Sequence, residues 1–426
     1  MTNKSNINEL IRSFYLTVKN NEISGYLVII LGQLVGTPAA NFDMASHWLS
    51  KPETFFSPSH AGVYTGVAIV IFGSIMVLRT FRGRLPKHSN NRDHYHHSNF
   101  RNYFLPHRWF FCDAIIPLPI TLIFYGAIVT TLSGPFDLVW HTIFGLDGLL
   151  SPSHATLRIG DALSAIGALL GILSTHPVMG SVIRSKRYYS HYPTLVIVAI
   201  LPVIFASRGF LSMVTLPFSN TYRFHWNPDP LMAAIIATIG FSFFISMLLY
   251  LTFRLGNFNA FSSVKDSTLR VNRPLFKFGL VTVVGIVLIG IGVFTVILPN
   301  IYVRQTIPLY ILNVIPIISA DILLTMGFSA HPNSKLSKVI AEFLAGAILG
   351  LTFFTLQFPL IAYTYNEVLM NPAVIGPTNV HMVYLKTLVL LPWIITTSIT
   401  FGILGVVVGS RLISHYVSKA SKVQIA

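Results

Sequence analysis

One pattern of carboxylate and imidazole side chains occurs twice in this 426-residue chain. The pattern is Asp-x3-His-x12-His, and its two copies are Asp43, His47 and His60, and Asp137, His141 and His154. Two neutral imidazoles with one carboxylate favour copper, zinc or iron over calcium or magnesium, which prefer ligands that are all oxygen. Three protein ligands leave one coordination position open, as catalytic metal sites do. The pattern therefore predicts a metal site.

The spacing also indicates how the ligands meet. Within each copy the Asp and the first His are four positions apart, so their side chains share one face if the segment is helical. Both copies close on Ser-Pro-Ser-His, at 57–60 and at 151–154. Proline suits the first turn of a helix, which places His60 and His154 in the first turn of the next helix. Each copy is therefore predicted at the tip of a helix hairpin.

The composition of the chain requires a lipid bilayer around these hairpins. The mean hydropathy is +0.66 and only 10% of the residues are charged, so a water-soluble fold would leave much apolar surface exposed. Apolar runs of about 20 residues, enough to cross about 30 Å of hydrocarbon, lie near 24–42, 60–80, 113–134, 155–175, 193–214, 230–253, 275–298, 308–329, 339–362 and 386–410. We therefore expect an all-α, polytopic transmembrane bundle of about ten helices.

Two further expectations follow from single features of the sequence. The first apolar run lacks a small-residue cleavage site, so it is expected to be a mature helix and not a signal peptide. The single cysteine, Cys112, excludes a disulfide within the chain.

Basic residues orient the predicted bundle, because Lys and Arg in short loops stay on the cytoplasmic side. The two termini and the loops on their side hold 23 basic residues, whereas the opposite loops hold 4. We therefore expect a protein of the cell membrane with both termini cytoplasmic and both Asp-His-His loops facing outward. The net charge of +15 needs no nucleic acid partner, because the same bias attracts an anionic leaflet of the bilayer.

The register of the two copies predicts a tandem duplication. A shift of 94 positions relates Asp43 to Asp137 and His60 to His154. On this basis, residues 1–190 are predicted to form a duplicated hairpin module that carries both motifs. Residues 191–426 are predicted to form a transmembrane helical scaffold.

Ionisable residues within or at the edges of the apolar runs need a role, because they are costly in a bilayer. These residues are Asp113, Asp161, Arg208, Asp321 and Glu342. Arg158 and Asp161 follow His154 by one and two helical turns, so they are candidates either to orient a ligand imidazole or to form an ion pair. An ion pair between Asp161 and Arg208 is the alternative, and Asp113 and Asp321 equally suit a proton or ion path.

A histidine-rich segment at 87–108 is interpreted as a topology anchor and not as a metal site. Seven basic residues in 79–112 already explain its position near acidic headgroups. Its histidines also lack the fixed spacing of the two motifs.

The second copy resembles a known family. Asp137-Leu138-Val139-Trp140-His141, followed by Ser151-Pro152-Ser153-His154, is similar to the metal-binding segment of the C subunit of the copper-dependent ammonia and methane monooxygenases. The resemblance implies that Asp137, His141 and His154 bind copper within the membrane, and that the first copy forms a second, similar set. It also implies partner membrane subunits and, if the chain is part of an enzyme, a monooxygenase component.

Two other functions fit the same sequence. In a proton-coupled transporter, the duplicated hairpins form the substrate path, intramembrane Asp and Arg residues couple to protons, and the histidines act as gates. In a structural membrane subunit, the metal only links the hairpins. The expected function is a membrane metal-binding protein, with copper as the ion and zinc or iron as alternatives.

Overall fold

A computed structural model of the chain consists of packed α-helices. It describes residues 21–48, 56–82, 107–109, 112–144, 151–182, 188–215, 230–257, 278–298, 307–329, 334–364 and 391–423, and near several helix ends it describes the backbone alone.

The described part of the chain contains eleven α-helices, numbered in chain order. In the first half they are α1 (Asn21–Trp48), α2 (Pro58–Arg82), α3 (Leu118–Phe144), α4 (Pro152–Val182) and α5 (Tyr188–Thr215). In the second half they are α6 (Pro230–Gly256), α7 (Leu280–Gly292), α8 (Ile307–Leu312), α9 (Val314–Ser329), α10 (Lys335–Thr364) and α11 (Leu391–Val423). A π-helical turn, Val293–Ile297, continues α7.

Eight of the described helices are long and apolar enough to cross a bilayer. The all-α transmembrane architecture expected from hydropathy is therefore confirmed, and each of the ten predicted runs contains a described helix. The most deeply buried spans are those of α5 and α6. Tyr26, Phe205, Phe241 and Tyr250 are among the largest fully buried side chains of the shared core. The protein is thus an integral membrane helical bundle.

Two boundaries differ from the prediction. The run 113–134 begins as a strand, because 112–116 pairs antiparallel with 107–109 and α3 begins only at Leu118. Pro117 and Pro119 flank that start, and proline favours the first positions of a helix while supplying no N–H for a strand.

The eighth run is divided at Asn313 into α8 and α9. The predicted domain boundary near 190 lies in the first turn of α5, and the two-part division stays a prediction.

The two N-terminal hairpins, α1 with α2 and α3 with α4, cross at glycines. A Cβ added to Gly66 would lie 2.8 Å from the carbonyl oxygen of Gly32, and one added to Gly160 would lie 2.8 Å from that of Gly126. Small residues at such crossings let two backbones approach closely, which drives helix association in membranes. The two crossings are related by the same 94-position shift as the motifs.

Two ionisable residues in the second half have structural partners. Asp321 in α9 accepts hydrogen bonds from the backbone N–H of Gly279 (3.0 Å) and Thr282 (2.9 Å) and from the Thr282 hydroxyl (2.8 Å). It therefore caps the N-terminus of α7, where the donors would otherwise be unsatisfied. Glu342 in α10 accepts from the Tyr250 hydroxyl and lies 3.3 Å from the Arg254 guanidinium. The side chain of Asp113 lies outside the described residues.

Candidate metal centre

The second motif meets at the junction of α3 and α4. Asp137 and His141 lie one turn apart in the last turns of α3, and His154 is the third residue of α4. One carboxylate oxygen of Asp137, Oδ2, lies 3.3 Å from His141 Nε2. The other, Oδ1, lies 3.4 Å from His154 Nε2. The predicted hairpin geometry is therefore the one observed.

Two serines of the Ser-Pro-Ser-His sequence fix this geometry. Ser151 precedes α4, and its hydroxyl accepts the backbone N–H of His154 at 3.1 Å, which is a typical N-cap bond. Ser153 donates to a carboxylate oxygen of Asp137 at 2.6 Å, and the two serine hydroxyls lie 2.9 Å apart. The serines thus hold the histidine at the helix start and the carboxylate in register with it.

The donor set fits a metal ion. One donor atom from each of Asp137, His141 and His154 lies within 4.8 Å of the other two. Donors bound at about 2.0–2.1 Å with tetrahedral angles stand about 3.3–3.4 Å apart, so small shifts of the side chains suffice. The side chains are only 10% to 17% exposed, which limits competition from water. Among the described residues, these three form a candidate metal-binding group.

The first motif has the same local structure. His60 is the third residue of α2, and its Nε2 lies 3.1 Å from Asp43 near the C-terminal end of α1. The hydroxyls of Ser57 and Ser59 lie 3.1 Å apart, and those of Ser151 and Ser153 in the second motif lie 2.9 Å apart. His47 lies in α1 one turn after Asp43. Its side chain lies outside the described residues, so its predicted ligand role stays a prediction.

One cleft joins the two motifs. A cavity of about 390 Å³ between the hairpins is lined by Asp43 and His60 on one side and by Asp137 and His154 on the other. Apolar side chains, among them Val67 and Leu157, form much of the remaining wall. The sequence predicted one site per hairpin. The tertiary packing brings the Asp and the second His of each motif to the same space.

Tyr64 is a residue of this cleft that the sequence analysis missed. It follows His60 by one turn of α2, lines the cleft, and lies against Gly134 of α3, where a side chain would touch its ring. It also lies close enough to both Asp43 and Asp137 to interact with their charges. Its position four residues after the second histidine, on the same helix face, was the available signal.

Arg158 of α4 is the counterpart of Tyr64 of α2 under the 94-position shift that relates the two hairpins. Its guanidinium is buried, lies against Gly209 of α5, and interacts with the charges of Asp161 and Asp43. Arg158 Nη1 lies 3.9 Å from Asp161, so the predicted partners of the metal site form an ion pair with each other. The guanidinium of Arg208, the alternative partner of Asp161, lies against Gly292 of α7.

Comparison of the chain with known protein families, curated proteins and solved structures finds no match. The class is therefore defined by the fold and the site alone. This chain is an integral membrane protein made of α-helices, with a candidate Asp-His-His metal-binding group at a helix hairpin.

Proposed function

We propose that the chain is a membrane metal-binding protein that holds copper through Asp137, His141 and His154. The observation that carries the proposal is the meeting of these three donors at the junction of α3 and α4. Zinc and iron suit the same donors. Copper is preferred because the second motif resembles that of the C subunit of ammonia and methane monooxygenases. Asp43 and His60, with His47, are proposed as a second, similar set.

The proposed division of labour follows from the contacts of each residue. The Asp137 carboxylate offsets the charge of a cation, and the two imidazoles select a transition metal over calcium or magnesium. Ser153 orients the carboxylate through its 2.6 Å hydrogen bond, as residues behind metal ligands commonly do. A bound copper ion with an open position would supply redox chemistry toward dioxygen.

The cleft wall bears on the substrate class. Val63, Val67 and Ala68 of α2 and Leu157 of α4 line the cleft together with the donors. Such a wall suits a small apolar molecule. A monooxygenase component that works with other membrane subunits is thus the proposed role, with both termini cytoplasmic and the cleft toward the outer face of the cell membrane.

Elemental analysis by mass spectrometry on detergent-purified protein tests the metal site. The variants are His141→Ala and His154→Ala, and the controls are His88→Ala and His97→Ala in the histidine-rich segment. We expect the controls to keep the wild-type metal content and the first two variants to lose the metal of this site. Equal metal content in all five proteins would overturn the assignment.

The identity of the metal needs a separate measurement. Metal-free protein is titrated with copper, zinc or iron, and the copper(II) form is examined by electron paramagnetic resonance. Hyperfine coupling to nitrogen that weakens in His154→Ala supports copper bound by the motif. Tight zinc or iron binding without a nitrogen-coupled copper signal would replace copper by that ion.

A further inference from the structure

A second, much smaller cavity lies next to the cleft. Its volume is about 10 Å³, and it shares Val63, Val67 and Thr130 with the cleft as lining residues. It reaches Gln33 of α1 and Asp161 of α4. Thr130 lies two helical turns before Asp137 on α3, so both residues are on one helix face. The small cavity therefore continues the donor cleft along that face.

Two polar atoms that line the small cavity lack protein partners. Gln33 is 5% exposed and Thr130 is 6% exposed. Yet neither the side-chain amide oxygen (Oε1) of Gln33 nor the hydroxyl of Thr130 has a hydrogen-bond partner in the described part of the chain. Buried polar groups are normally satisfied by protein or by ordered water. A cavity of this volume accommodates about one water molecule. Its size and its polar atoms both point to bound water.

The polar lining arises where the two hairpins differ. The 94-position shift pairs Gln33 with Ala127, Gly36 with Thr130, Val67 with Asp161 and Val70 with Ser164, and all eight residues line the cavity. In each pair one residue is polar and the other is glycine or apolar. The hairpins thus keep the same motif residues but contribute unlike residues here, and each pair adds one polar group to the cavity wall.

We propose that a bound water in this cavity connects the donor cleft with Asp161, so that Asp161 exchanges protons with the cleft. The water would bond Gln33 and Thr130 and reach the carboxylate of Asp161 beyond them. Proton transfer through bound water needs such a continuous set of donors and acceptors. The proposal does not depend on metal binding at the cleft.

The charged groups near Asp161 can be named for each helix that packs against it. On α4 itself Arg158 lies 3.9 Å away. From α1, Asp43 acts on the same guanidinium. The residues that α2 and α3 contribute to the cavity beside Asp161, Val67 and Thr130 among them, are uncharged, and α5 places Gly209 against Arg158. Arg158 is therefore the cation that balances Asp161 whenever its carboxyl group is ionised.

Infrared spectroscopy of metal-free protein tests the connection. Spectra are recorded at a pH low enough to protonate Asp161, because an ionised carboxylate has no proton to exchange. The Asp161 carboxyl signal is assigned as the band that disappears in Asp161→Asn, and its exchange rate is measured after transfer to D₂O. The variants Thr130→Val and Gln33→Leu remove the two water-binding atoms with little change in volume. We expect exchange to slow by at least about tenfold in both, because an apolar wall then replaces the hydrogen-bonded route.

Matched variants separate this effect from general disruption. Thr121→Val changes another buried threonine of α3, which lines neither cavity and whose hydroxyl bonds the carbonyl of Pro117 at 3.2 Å. Thr130→Ser restores the hydroxyl. We expect wild-type exchange in both. Wild-type exchange in Thr130→Val and Gln33→Leu, or slowing in Thr130→Ser equal to that in Thr130→Val, would overturn the proposal. Because the protein is metal-free, failure here is distinct from failure of the metal site.

Discussion

Asp43 and Asp137 line the same cleft, although 94 positions separate them in the chain. Each carboxylate has a histidine from the next helix within 3.4 Å, His60 in one case and His154 in the other. The two pairs therefore share one space between the hairpins. This relationship makes the number of bound ions a direct test of whether both motifs bind metal.

Metal stoichiometry should report the two motifs separately. We expect about two metal ions per chain, because each hairpin holds its own carboxylate and imidazoles. His60→Ala and His154→Ala should each lower the content by about one ion, and the double variant should retain none. Elemental analysis against protein concentration gives the ratio. A His60→Ala protein with wild-type content would show that the second motif alone binds metal.

Ser153→Ala should weaken metal binding without abolishing it. The substitution removes the 2.6 Å hydrogen bond to Asp137, and loss of such a supporting bond costs about 10- to 100-fold in affinity. Competition with a chelator of known affinity measures the change. Ser59→Ala is the matched control for the Asp137 site, because Ser59 lies in the other hairpin and contacts Ser57. Equal losses in both variants at that site would contradict the assigned role.

Gly160→Ala should destabilise the second hairpin. The new methyl group would lie 2.7 Å from the backbone nitrogen of Thr130, and overpacking of this kind costs about 1–3 kcal/mol. Gly290→Ala is the control, because a Cβ added there lies within 4 Å of nothing beyond its chain neighbours and its own helix backbone. Thermal unfolding in detergent should show a lower midpoint for Gly160→Ala only. A similar drop in the control would indicate a general cost of replacing helical glycine.

Asp321→Ala should destabilise the bundle more than Asp321→Asn does. The carboxylate accepts three hydrogen bonds at the start of α7, and leaving buried donors unsatisfied costs about 1–3 kcal/mol each. An Asn side chain keeps an oxygen acceptor for part of this set. Thermal unfolding of both variants provides the comparison. Equal stability of wild type and Asp321→Ala would reopen the proton-path interpretation of this residue.

Hydropathy and spacing predicted the helices and the local form of each motif. Apolar run length decides whether a segment crosses a bilayer, and the i, i+4 relation of Asp137 and His141 follows from helix geometry. The prolines at 58 and 152 were enough to place His60 and His154 in the first turn of a helix. These features depend on neighbours in sequence, so a sequence can reveal them.

The shared cleft could not be predicted in the same way. Its existence depends on how α2 packs against α3 and α1 against α4, and hydropathy carries no information about which apolar helices become neighbours. The contact of Tyr64 with Gly134 of α3 depends on the same packing of α2 against α3. The cap formed by Asp321 was also missed, because its partners Gly279 and Thr282 lie about 40 positions earlier in the chain.

The glycine crossings have a consequence for how the cleft can change shape. Asp43 and His60 belong to one tightly crossed pair of helices, whereas Asp137, His141 and His154 belong to the other. Contact between the pairs, α2 with α3, is much less extensive than contact within either pair. A pivot of one hairpin against the other would therefore widen or narrow the opening while each donor set kept its internal distances. The geometry of each donor set and the width of the cleft opening are then independently adjustable.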